Sequence, residues 1–64
     1  MRVDAKKLRL AMARKCMESS DLSEACSLSI GTIYNVLTGR PCNLSTIGKI
    51  AKALGVDVTE ILED

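Results

Sequence analysis

Met17-Glu-Ser-Ser-Asp-Leu-Ser-Glu-Ala-Cys-Ser-Leu-Ser-Ile-Gly-Thr-Ile-Tyr-Asn-Val-Leu-Thr-Gly39 is the stretch on which the fold of this chain turns, because its apolar spacing changes phase in the middle. Ser19 or Ser20 can accept a hydrogen bond from the first free N–H groups of a helix. Leu22, Ala25 and Cys26 then fall together on its inward face. Ser27-Leu28-Ser29 interrupts that pattern, and Ser29 is suited to cap a second helix that runs to about Leu37 with Ile33, Val36 and Leu37 inward. Thr38-Gly39-Arg40-Pro41 ends it: Gly39 tolerates the left-handed backbone that closes a helix, and Pro41 prevents simple continuation. The stretch reads as two short helices, about residues 18–38, joined by a turn of about three or four residues.

Working outward, Leu8, Ala11 and Met12 recur at helical spacing between Val3 and Lys15, and Leu10 falls off that stripe. Downstream, Asn43 can cap a fourth helix carrying the strongest stripe in the chain, Leu44, Ile47, Ile50, Ala51 and Leu54, closed by Gly55. Asp57 with Glu60 three residues on resembles a capping box and opens a last short helix holding Val58, Ile61 and Leu62. No alternating strand pattern, internal repeat or low-complexity linker intervenes. The expectation is an all-α fold of five helices forming one compact domain over residues 1–64.

Composition narrows the function classes. Of the 64 residues, 47% are apolar, yet Tyr34 is the only aromatic, so the core must be built from aliphatic side chains and Met. Cys16, Cys26 and Cys42 are odd in number and no His accompanies them, which argues against a zinc site or a disulfide framework; no metal or cofactor is expected. Absence of His also leaves no nucleophile–base pair, and no Gly-x-x-x-x-Gly-Lys loop is present, so an enzyme is not expected. No apolar run reaches the length of a membrane span, and a reduced, cytoplasmic protein is expected. The net charge of +1 hides strong segregation: +5 over residues 1–15, −3 over 16–28, +3 over 29–54 and −4 over 55–64. A chain so divided can present a positive face to a polyanion despite its near-neutral total.

Two short helices either side of a tight turn form the layout of a helix-turn-helix, in which the first helix braces on the nucleic-acid backbone and the second lies in the major groove. On the second helix Ile30, Gly31, Tyr34 and Asn35 point outward and are the candidates for base reading. Asn35 has the amide that pairs with adenine, Tyr34 and Ile30 can touch a thymine methyl, and Gly31 allows close approach of the backbone. Ser29, Thr32, Thr38 and Arg40, near the two ends of that helix, are candidate phosphate ligands.

The run from Met17 to Gly39 resembles, without a gap, the helix-turn-helix of the lambda-repressor and Cro family, also called the Xre family. The resemblance continues through Leu44-Ser-Thr-Ile-Gly-Lys-Ile-Ala-Lys-Ala-Leu-Gly-Val-Asp-Val-Thr-Glu-Ile-Leu62 and so covers nearly the whole chain. It implies base reading at Ile30, Gly31, Tyr34 and Asn35, and phosphate contact at Ser19, Thr38 and Arg40. Three departures stand out. Ile30 and Gly31 replace the polar pair common in the family, which shifts specificity toward Tyr34, Asn35 and DNA shape. Cys16 and Ser27 stand where glycines are frequent, so a left-handed backbone there would cost on the order of 1 kcal/mol each. Met12 and Leu37 together replace a buried basic–acidic pair, a concerted change of the kind that is often neutral or stabilising.

The resemblance implies a transcriptional regulator, a repressor, bound to a double-stranded DNA operator as a homodimer. A dimer surface over Val56, Val58, Ile61 and Leu62, with Leu10 beside it, is one reading of the carboxyl-terminal apolar residues; a core role is the other. The competing function is an antitoxin or protein-interaction module that uses the same fold to bind a toxin or co-regulator.

Overall fold

The computed structural model describes residues 2–63. Helices α1 (Ala5–Arg14), α2 (Ser19–Cys26), α3 (Ile30–Leu37) and α4 (Leu44–Leu54) are followed by one 3-10 turn, Val58–Glu60. The chain is all-helical as expected, but the last short helix is reduced to that single turn. The cause is a backbone pairing with no sequence signature: Val3 and Leu62 form an isolated antiparallel bridge. The Asp4 N–H donates to the Ile61 carbonyl at 2.8 Å and the Glu63 N–H to the Arg2 carbonyl at 3.1 Å. Once Leu62 pairs with Val3 and the Glu63 N–H is given to the Arg2 carbonyl, no helix can continue past Ile61.

Each helix begins on a side chain that satisfies otherwise orphaned N–H groups. Asp4 accepts from Lys6 and Lys7 at 2.9 and 3.1 Å, and Asn43 from Thr46 at 2.8 Å. Helix α2 starts differently from the sequence reading. Its cap is Glu18, with Ser19 already the first helical residue, and the Asp21 carboxylate reaches back to the Glu18 N–H at 2.9 Å. Asp57 accepts from both the N–H and the hydroxyl of Thr59, which holds its carboxyl below the ordinary aspartate value, while Glu60 closes the box on the Asp57 N–H at 3.1 Å.

All four α-helices end in the same way. A residue with positive φ follows the last turn: Cys16 (54°), Ser27 (58°), Gly39 (84°) and Gly55 (67°). Its N–H returns to the carbonyl three residues back, and the next N–H returns five residues back, as in Met17 to Met12, Leu28 to Ser23, Arg40 to Asn35 and Val56 to Ala51. This double closure is the Schellman motif, and it allows four helices to be packed into a short chain with tight turns between them.

Among the described residues the core is wholly apolar. Leu8, Ala11 and Met12 from α1, Leu22 and Cys26 from α2, Ile33 and Val36 from α3, and Ile47, Ile50, Ala51 and Leu54 from α4 meet Val3 and Ile61. Helix α2 packs against both α3 and α4, and α1 crosses α3. Two residues read as inward from sequence are not. Ala25 is exposed, being turned about 100° around the helix from Cys26. Leu44 sits in the first turn of α4, outside the buried cluster, and is 72% exposed.

Two of the four left-handed positions carry a side chain. Replacing either with glycine, as Cys16→Gly or Ser27→Gly, removes a clash between Cβ and backbone and should raise stability by about 0.5–1 kcal/mol each. For a chain of this size that appears as a rise in melting temperature of roughly 2–8 °C per variant, measured by circular dichroism.

Candidate nucleic-acid interface

Helix α3 is held by its cap and by two deeply buried residues. The Ser29 Oγ accepts from the Thr32 N–H at 3.2 Å and lies 2.9 Å from the Thr32 hydroxyl. Ile33 and Val36 are fully buried, and Leu37 is half-buried against the same core. With these fixed, the opposite edge of the helix is Ile30, Gly31, Tyr34 and Asn35, all exposed, with Tyr34 at 55%. The four share one face by their one-turn spacing. Nothing in the fold requires Gly31: a Cβ there would meet no atom nearer than the Ser29 Oγ at 4.0 Å. A glycine inside a helix costs about 1 kcal/mol relative to alanine, so its value lies on the outward side.

Hydroxyl chemistry separates the candidate phosphate ligands. In the Ser29–Thr32 pair one hydroxyl donates to the other, which leaves one O–H proton free to point outward. The Thr38 hydroxyl donates to the Asn35 carbonyl at 2.9 Å, so in this rotamer it can only accept. Arg40 follows Gly39, exposed, with its N–H tied to the Asn35 carbonyl at 3.2 Å. Ser19 is half-buried at the start of α2.

A hollow borders α3 where α1 and the start of α2 approach it. Met12 and Leu37 both line it, so the two residues read as a concerted replacement do share one site. Arg9, Glu18, Ser19 and Ser20 line it too, and Tyr34 belongs both to the hollow and to the exposed edge of α3. The reading from sequence passed over Arg9, although its position three residues before Met12 places it on the same side of α1.

The carboxyl-terminal residues divide. Ile61 is fully buried and belongs to the core, which removes it from any dimer surface. Val56 and Leu62 are half-buried, Val58 is 39% exposed, and Leu10, off the α1 stripe, is 53% exposed. A groove runs between α1 and the 3-10 turn. Lys7, Leu10 and Arg14 line it on one side, Val56 and Glu60 on the other, and it shares no residue with the exposed edge of α3.

Residues 7–64 match the family model of the Cro/C1-type HTH DNA-binding domain. No curated protein matches the chain. A solved structure of native PhpD with cadmium atoms is similar over 100% of this chain at 20% sequence identity and a TM-score of 0.85. The chain spans 14% of that protein, and the likeness is one of fold. Among the described residues no helix is long and apolar enough to cross a membrane.

The cap at Ser29 sets where α3 begins, so its loss is measurable apart from any ligand. Ser29→Ala should cost about 1 kcal/mol of unfolding free energy in urea titration.

Proposed function

The chain belongs to the Cro/C1-type helix-turn-helix family of DNA-binding domains, and we propose that it represses transcription by seating α3 in the major groove of an operator. The observation that carries this reading is the exposed edge of α3, Ile30, Gly31, Tyr34 and Asn35, held outward by the burial of Ile33 and Val36. Asn35 supplies the amide that recognises adenine, and Tyr34 and Ile30 supply apolar contact with thymine methyls. Gly31 lets the helix backbone sink toward the base edges. The Ser29–Thr32 hydroxyls at one end and Arg40 at the other hold the flanking phosphates; Thr38 joins them only after its hydroxyl turns from the Asn35 carbonyl.

The operator is bound by two copies, one α3 per half-site, with half-sites about 34 Å apart or a multiple of that. The described residues extend 25 × 22 × 18 Å, so two touching copies reach one helical turn only if α3 lies away from their shared face. The groove lined by Leu10 and Val56 shares no residue with the exposed edge of α3 and suits that condition. It also carries opposite charges on its two sides, Arg14 on α1 and Glu60 on the turn, and a two-fold axis would set each side against its opposite on the second copy. Leu10→Glu should therefore shift the protein toward monomer in sedimentation velocity and weaken operator binding while leaving the helical circular dichroism unchanged.

Two substitutions on α3 and its exit separate reading from holding, using anisotropy titrations on a duplex selected from a randomised pool. Asn35→Ala should lower discrimination at one base position by about 1–3 kcal/mol. Arg40→Ala should weaken all sequences alike and flatten the dependence of log K on log salt by about one unit. Wild-type affinity and preference in both variants would refute the assignment.

A further inference from the structure

We propose that Arg9, on α1, is a phosphate ligand for the DNA strand that passes beside Tyr34, and that the hollow between α1, α2 and α3 is where this phosphate sits. The inference rests on the reading of α3 as the helix in the groove, and it starts from a conflict at the start of α2. A helix N-terminus usually attracts phosphate through its free N–H groups and its dipole. Here Glu18 and Asp21 place two carboxylates at that end, and Asp21 occupies the Glu18 N–H at 2.9 Å. The Ser19 position therefore has little positive potential of its own, and a cation must come from another element.

Arg9 is the basic side chain lining that hollow. It is exposed on α1, and the hollow is continuous with the reading edge because Tyr34 lines both. A helix lying in a major groove about 12 Å wide has a sugar-phosphate strand along each flank. The strand on the Tyr34 flank must run past α1 and the start of α2, over the mouth of the hollow. Met12 and Leu37 line the same hollow with apolar surface, which removes water from one side of a guanidinium seated there and strengthens its hold on an anion. The planar fork of arginine suits the paired oxygens of a phosphate, and the Ser19 and Ser20 hydroxyls stand on the same rim. Glu18, also on the rim, opposes this contact, so the site is tuned by one favourable and one unfavourable charge.

The test compares Arg9→Ala with Lys52→Ala, which removes the same charge from α4, where Lys52 borders Ala25 and Ala53, on neither the α3 edge nor the groove beside Leu10. Anisotropy titrations on the selected duplex and on a scrambled one, at several salt concentrations, give affinity and salt slope. Arg9→Ala should weaken both duplexes several-fold and flatten the slope by about one unit; Arg9→Lys should restore most of the slope; Lys52→Ala should leave it at the wild-type value. Glu18→Gln should tighten binding several-fold. Equal flattening by Arg9→Ala and Lys52→Ala would show a diffuse field with no seated phosphate, and an unchanged slope in Arg9→Ala, or weaker binding by Glu18→Gln, would overturn the proposal outright. If the wild-type protein shows no salt-dependent binding to any duplex, the reading of α3 falls as well, whereas failure confined to the Arg9 and Glu18 variants leaves it standing.

Discussion

The direction in which α3 leaves α2 is decided at Ser27, in a left-handed conformation that a serine adopts only at a cost. Two backbone bonds lock the corner, Ser27 to Glu24 and Leu28 to Ser23, and the Ser23 hydroxyl closes on the Leu28 carbonyl. Leu28 itself packs against the core, so the corner is fixed from inside as well as along the chain. Everything proposed for α3 depends on this geometry. Rolling the helix by a single residue turns each side chain by about 100°. Tyr34 would then meet the space that Ile33 fills, and Val36 would take the exposed place of Asn35.

Buried residues were the most legible part of the sequence. Leu8, Ala11, Met12, Leu22, Ile33, Val36 and the α4 residues from Ile47 to Leu54 announce themselves by period, because a helix with one wet face must repeat its apolar positions. The failures have a common cause: each depends on where a helix meets something else. Ala25 and Leu44 fit the period yet have no neighbour to cover them. Ser19 and Ser20 have the side chains of a typical cap, yet at the start of α2 Glu18 and Asp21 form the reciprocal pair. The Val3–Leu62 bridge joins one residue to one residue and leaves no repeat to detect. On the interface, the outward edge of α3 follows from its inward one, so it was readable. The grouping of Arg9 with Ser19 and Tyr34 involves three elements, and only their packing reveals it.

The chemistry of the exposed edge is unusual in being half apolar. Ile30 and Gly31 bring no hydrogen-bond donor from their side chains, and Tyr34 and Asn35 bring the polar groups one turn later. Under the proposed function, an edge of this kind would distinguish sequences by methyl contact and groove shape as much as by paired hydrogen bonds. The same preference for apolar surface runs beneath the edge, where Met12 and Leu37 line one hollow in place of a buried pair of opposite charges. Such a site avoids burying an ion pair, which needs near-ideal geometry to offset its desolvation.

Residues 2–4 and 61–63 lie side by side, joined by backbone bonds of 2.8 and 3.1 Å. A polypeptide that enters and leaves at one point can be spliced into a surface loop of a host protein with little stretching of either. The gap between these two segments is short, so few residues would be needed to link them. In architectural terms the bridge makes the helical unit a cassette, with entry and exit side by side and α3 belonging to neither.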